Sequence, residues 1–222
     1  MFKARFGRQL TSFGLQNFSP EGQMSTTRQN ICFHVAADSL LLLLPDAVTC
    51  FRHASYKQLQ KFFLEESASA IVLDWITSGR MSMGEEWAFL CYHSVNEIFL
   101  QGKRIVKDVM LLDDTEPGKD IPSRSLSQRL KPYSCYATLF LQGPHLLPII
   151  ASILDHYNQI TVFKTKVPAG LIWSVSPIDS TKLGIVVRVA GVETEIVKEW
   201  LKETLAGLEA TIGRDAYKRV FP

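Results

Sequence analysis

Apolar residues recur at every second position through the first half of the chain, and at helical spacing only in its last third. Ile31, Phe33 and Val35 alternate with Cys32 and His34, and a turn at Ala37-Asp38 leads into LLLLLP. YKQLQKFFLEE sets Tyr56, Gln58, Gln60 and Phe62 on one side and Leu59 and Phe63 on the other. A period of two predicts a strand in each case. AIVLDWIT is apolar on both sides, with Ala70, Val72 and Ile76 against Ile71, Leu73 and Trp75, so it predicts a strand covered on both faces. Asp74 shares the Val72/Ile76 side and is expected to be a buried acid, which must be hydrogen-bonded, paired or coordinating. The run EWAFLCYHSVNEIFLQGKRIVKDVMLLDD predicts a hairpin closing at Gln101-Gly102-Lys103. Its returning strand places a second acid, Asp108, on one side with Val106, Met110 and Leu112.

Residues 116–132, rich in polar residues, Pro, Gly and Ser, predict an exposed loop. Beyond them YATLFLQG reads as a strand, and Leu146, Ile149, Ile150, Ile153, Leu154 and Tyr157 are spaced for an amphipathic helix with Pro144 and Pro148 near its start. ITVFK, LIWSVS and LGIVVRVAG predict three more strands. TEIVKEWLKETLAGLEATIG predicts a closing helix with Val197, Leu201, Leu205 and Leu208 as its buried stripe and Gly213 as its C-cap. The expected fold is α+β and mainly β: stacked sheets of sandwich or β-helix-like form, with two amphipathic helices in the C-terminal third.

A length of 222 residues suffices for a sizeable core. The formal charge of +2, from 24 basic and 22 acidic residues, is too balanced to point to nucleic acid or an anionic membrane. Cys32, Cys50, Cys91 and Cys135 form no CxxC pair, which favours a reducing, cytoplasmic setting. The longest all-aliphatic run, Leu40 to Leu44, is far too short to span a bilayer. The first twenty residues are basic and free of acids, which resembles a mitochondrial transit peptide in composition, but an ordinary first strand and loop is the preferred reading.

The motifs of serine hydrolases, P-loop NTPases, dinucleotide-binding proteins and zincins are all missing from the sequence, so the chain is not read as an enzyme. Cys32-Phe33-His34 and Cys91-Tyr92-His93 each put a thiol and an imidazole on one face of a strand. If those strands paired they would supply a zinc or nickel site; otherwise they are ordinary core cysteines and satisfied histidines. Asp74 and Asp108 have two readings as well: acids held by amides or by an arginine such as Arg80, or carboxylates lining a polar path that briefly holds a divalent cation. Gly79, Arg80 and Gly84 build a turn whose guanidinium ties carboxylates such as Glu85 and Glu86 together. With Trp87 alongside, the same lattice also suits a protein-docking surface.

Leu44-Pro45-Asp46, Tyr56-Lys57-Gln58, Asp74-Trp75, Gly79-Arg80 and Gly84-Glu85 together resemble the urease accessory protein D (also called H) family, and the likeness extends through both C-terminal helices. The resemblance implies a non-catalytic scaffold for urease maturation with no tightly bound cofactor. It also implies partnership with urease apoprotein and with F-type and G-type (GTPase) accessory proteins, and passage of nickel along an acidic tunnel. On that likeness Asp74 and Asp108 match tunnel carboxylates, Glu85 is a further candidate, and Gly79, Arg80, Gly84, Glu85 and Trp87 form the structural or partner-binding motif. Family members begin upstream of the segment resembling MFKARFGRQ, so the whole chain is expected to form one domain of this type that lacks the family's N-terminal strands.

Overall fold

The computed structural model describes residues 26–114, 124–163, 170–179 and 183–220. The first twenty residues, read above as strand and loop or as a targeting segment, lie outside them. Two compact units are present, and the chain passes repeatedly from one to the other: of the described residues, 26–37, 48–66, 77–114 and 124–131 belong to the first, and 38–47, 67–76, 132–163, 170–179 and 183–220 to the second.

The first unit is built on a four-stranded sheet of β1 (Thr26–Val35), β4 (Ser55–Leu64), β6 (Cys91–Leu100) and β7 (Lys103–Asp113), in the order β1-β4-β6-β7. The first three strands are parallel, and β7 returns antiparallel to β6. In-register parallel pairing sets like positions side by side at the strand spacing, so aromatic side chains stack in rows. Phe33 lies on Phe62 at 5.0 Å, Tyr56 on Tyr92 at 5.9 Å, and His34, Phe63 and Phe99 form a continuous stack at 4.9 Å per step. The β6–β7 hairpin closes as expected: Gln101 and Gly102 both have positive φ, 49° and 76°, which a two-residue turn matched to strand twist requires.

The second unit holds β2 (Leu40–Leu43), β5 (Ser69–Thr77), β8 (Cys135–Gln142), β10 (Gly184–Gly191) and β9 (Leu171–Pro177), neighbouring in that order. β2 and β5 are parallel, whereas β8, β10 and β9 pair antiparallel. Helices α2 (Leu147–Phe163) and α3 (Thr194–Thr204) contribute Ile149, Ile150, Ile153, Val197, Trp200 and Leu201 to the apolar core with Ile71, Leu73, Leu139 and Val187 of the sheet. Each such aliphatic side chain contributes roughly 1.5–3 kcal/mol by leaving water. The remaining described elements are the two-residue strand β3 (Val48–Thr49), the short helices α1 (Leu126–Leu130), α4 (Leu208–Ile212) and α5 (Arg214–Val220), and single 3-10 turns at Met81–Met83 and Pro144–Leu146.

Three expectations are corrected here. Ile160–Phe163, read as the start of a strand, continue helix α2, which is anchored in the core earlier along its length through Ile149, Ile150 and Ile153. The closing helix is not continuous: α3 ends at Thr204, and α4 begins after a turn through Leu205–Gly207 and stops at Gly213 (φ 84°). The stretch 116–132, read as exposed loop, contains α1 in its described part. That helix starts in a capping box, in which Ser125 Oγ accepts from the Gln128 N–H and the Gln128 side chain accepts from the Ser125 N–H, and it buries Leu126.

Candidate functional site

The Gly-Arg/Gly-Glu motif forms a single turn of 3-10 helix, Met81–Met83, between β5 and β6. Gly79 has φ 119°, and a Cβ there would stand 2.6 Å from the Glu85 carbonyl oxygen, so only glycine fits. Arg80 meets Glu85 with both prongs, Nε to Oε2 at 2.9 Å and Nη2 to Oε1 at 2.7 Å, while its guanidinium lies 4.3 Å over the Phe51 ring. The Arg80 hydrogen bonds hold the Glu85 carboxyl below the usual carboxylate range, and Glu85 raises Arg80 in return. Gly84, at φ 68°, closes the turn, and Arg52 Nη2 donates to its carbonyl at 3.2 Å. Trp87 sits in the left-handed region at φ 54°, unusual for so bulky a residue, with its N–H on the Ser78 carbonyl at 2.6 Å and its buried ring edge-on to Phe89. Trp87 is thus part of the turn's foundation. The apolar groups displayed beside the turn are Phe51, Met81 and Met83, each more than half exposed. The sequence reading did not single these three out.

Asp74 is 5% exposed in β5, on the side occupied by Val72 and Ile76, as the alternation required. It belongs to the second unit, whereas Asp108 and Glu85 belong to the first. Asp108 is half-buried, opposite Asn96 on β6. Asn96 stands opposite Gln60 on β4, and one pleat along the strands Met110, Ser94 and Gln58 occupy the equivalent places. The buried face of this sheet therefore carries a polar ladder between Phe33, Phe62 and Ile98 at one end and Tyr56 and Tyr92 at the other. Gln58 Nε2 donates to Ser94 Oγ at 2.7 Å, Asn96 Nδ2 to the same oxygen at 3.4 Å, and Tyr56 donates to Gln29 Oε1 at 2.5 Å. Gln60 Oε1 is buried and accepts no hydrogen bond among the described residues. The ladder escaped the sequence reading, although its signal was present: Gln58 and Gln60 share parity with Phe62, and Ser94 and Asn96 with Tyr92 and Ile98.

The Cys/His pairs do not assemble. β4 lies between β1 and β6, and the register sets Cys32 opposite Lys61 but Cys91 opposite Ser55. Six residues of strand separate these levels, about 20 Å at the usual rise. No group of three or more His, Cys, Asp or Glu able to hold a metal occurs among the described residues. Cys32 is exposed, and the core cysteines are Cys50 and Cys135, whose thiols burial pushes up to about 11 and about 12. No described helix is long and apolar enough to cross a membrane.

A family model for the UreD urease accessory protein matches residues 9–221. The chain is 36% identical over 219 residues to urease accessory protein 4 of Cryptococcus neoformans var. grubii, a match covering 92% of this chain and 66% of that protein. It is 31% identical over 201 residues to urease accessory protein D of Oryza sativa subsp. indica, covering 82% and 64%. Against urease accessory protein UreD of Anaeromyxobacter sp. it is 30% identical over 209 residues, covering 94% and 66%. The chain thus spans just under two thirds of these relatives' lengths. With almost every residue inside the matched range, the chain belongs to the UreD urease accessory protein family.

Proposed function

We propose that the chain serves urease maturation in the cytoplasm as a non-catalytic scaffold. It holds urease apoprotein together with the F-type and G-type accessory proteins and hands nickel onward as cargo. Beyond family membership, the polar ladder ending at Asp108 is the observation that carries the nickel part of this reading. Burying Gln58, Gln60, Ser94 and Asn96 on a sheet face costs stability that an apolar face would not. Side-chain amides, hydroxyls and a carboxylate are hard oxygen donors, which bind a divalent first-row cation weakly and release it readily. Strand parity puts Cys32, His34, Cys91 and His93, the side chains that would retain nickel, on the opposite face. Asp74 is the second carboxylate assigned to the cargo. Glu85 is a weaker candidate than it appeared from sequence, since a cation would have to displace Arg80 from both of its oxygens.

The test is the double variant Asp74→Ala/Asp108→Ala. It is expected to co-purify with urease subunits and accessory partners as the parent does, and to lower the nickel content of urease matured at limiting nickel. Full nickel loading by the double variant would end the relay reading. What would survive is a pure adaptor, a role favoured by one specific observation: Phe51, Met81 and Met83 are exposed around a turn rigidly clamped by Arg80 and Glu85.

A further inference from the structure

The four-stranded sheet of the first unit has a second face, and strand parity gives it the side chains that the polar ladder leaves out. Register sets them in rows across β1, β4, β6 and β7. Asn30, Leu59, Val95 and Val109 form one row. Arg28, Lys57, His93 and Leu111 run along one side of it. Cys32, Lys61, Glu97 and Lys107 run along the other. All of these side chains are exposed or half-buried except Glu97, and Val109 and Leu111 are 50% and 57% exposed. A contiguous apolar row left open to water marks an interaction surface, which a single scattered residue would not. Charge on this face is one-sided. Arg28, Lys57, Lys61, Arg104 and Lys107 stand against only Glu97 and Asp113. Lys61 and Arg104 both lie on Glu97, at 3.6 and 2.9 Å. Arg28, Lys57 and Lys107 form no ion pair among the described residues.

We infer that this face docks an acidic amphipathic helix of another chain, laid across the strands with its apolar stripe on Leu59, Val95 and Val109. The inference goes beyond the nickel reading and uses neither the polar ladder nor the Gly79–Glu85 turn. Dimensions and charge select the occupant. Four strands make a row about 14 Å long, which about ten helical residues cover at 1.5 Å each. The neighbouring rows lie two residues along the strands, about 7 Å to either side, and a helix with its side chains is about 10–12 Å across. Carboxylates on the two flanks of the helix therefore come down over Arg28 and Lys57 on one side and Lys61 and Lys107 on the other. An extended segment does not fit in this way, because its charged residues alternate onto the face turned away. A nucleic acid or an anionic bilayer would use the cations, but its phosphates would leave the apolar row unsatisfied and would meet Glu97 between Lys61 and Lys107.

Methyl NMR of the full chain, following Val95, Val109 and Leu111, tests this with a lactam-stapled helical peptide carrying leucines along one stripe and glutamates on both flanks. Saturable shifts of the three residues are expected, weakening as salt rises. A second peptide with lysines in place of the glutamates is not expected to bind, nor a third with serines in place of the leucines. Lys57→Glu/Lys107→Glu is expected to weaken the glutamate peptide about tenfold and to accept the lysine peptide in its place. That exchange of preference cannot come from a damaged fold, which would lose both peptides. Val109→Ser leaves the charge untouched and is expected to weaken the glutamate peptide about fivefold. The proposal is overturned if the parent shows no saturable shift, or if the serine peptide binds as tightly as the leucine peptide. Saturable binding of oligodeoxythymidine or of phosphatidylserine vesicles in place of the glutamate peptide overturns it as well.

Discussion

The two units solve the same problem with different interiors. In the second, Ile71, Leu73, Leu139, Leu141, Val187, Ile149, Val197 and Leu201 form an apolar core covered by helices. In the first, the buried face of a largely parallel sheet alternates aromatic and aliphatic rows with amides, a hydroxyl and Asp108. An apolar core tolerates little loss of volume. A polar ladder tolerates loss of its polarity, because an amide and an apolar side chain of similar shape differ mainly in what must be hydrogen-bonded. The contrast is one of arrangement: the helix-covered core of the second unit is apolar, and its buried Asp74, Thr138 and Gln142 share the strand parity opposite to Leu73, Leu139 and Leu141, whereas the first unit sets amides in a row across its buried face.

The largest effect is expected where volume is removed from the apolar core. Leu139→Ala deletes a fully buried side chain of the core to which both helices contribute and is expected to cost about 2–5 kcal/mol, read from the guanidinium midpoint. A shift as small as that of a surface substitution would break the comparison.

A smaller and opposite effect is expected in the ladder. Gln60→Leu removes the acceptor that finds no donor among the described residues, so stability is expected to hold or rise by about 1 kcal/mol. The same variant is expected to reduce nickel delivery to urease. Loss of stability without loss of delivery would mean the polar row is structural. Measuring melting temperature and urease nickel content on one preparation separates the two outcomes.

The smallest effect concerns acid. Glu85 has a folded-state pKa below its unfolded value, so the native state binds fewer protons than the unfolded chain between the two. The stabilisation it brings is complete above the ordinary carboxylate pKa and is lost as pH falls through the depressed one. Glu85→Gln is expected to flatten that part of the stability–pH curve of the first unit by lowering stability at neutral pH, while leaving the acid end, below the depressed pKa, little changed. An unaltered acid limb would mean that Arg80 and Glu85 are already separated by solvent.

Strands whose alternation is local were legible. β1, β4, β5 and the β6–β7 hairpin follow the period-two pattern, and α3 buries Val197 and Leu201 as its spacing required. Reading failed where a local preference was outweighed. Ile160 and Thr161 favour strand by side-chain branching, yet they extend a helix already anchored through Ile149, Ile150 and Ile153. The candidate site divided in the same way. The Gly79–Glu85 turn lies within a few residues of sequence, so its Arg-carboxylate pairing was foreseeable. The ladder draws on three strands: parity with Phe62 and Ile98 is a local sign of which side is buried, but which polar residues stand beside one another was set by the pairing of distant segments.

The sequence alone determined which residues share a strand face: Asp74 with Val72 and Ile76, Asp108 with Val106 and Met110, and each Cys with its His. That knowledge is local, since a strand's side chains alternate regardless of its neighbours. Only the tertiary structure decided which strands meet. By inserting β4 between β1 and β6 it kept Cys32 from Cys91 and set Gln60 beside Asn96 in the row that ends at Asp108, because parallel pairing joins segments that the chain itself keeps apart.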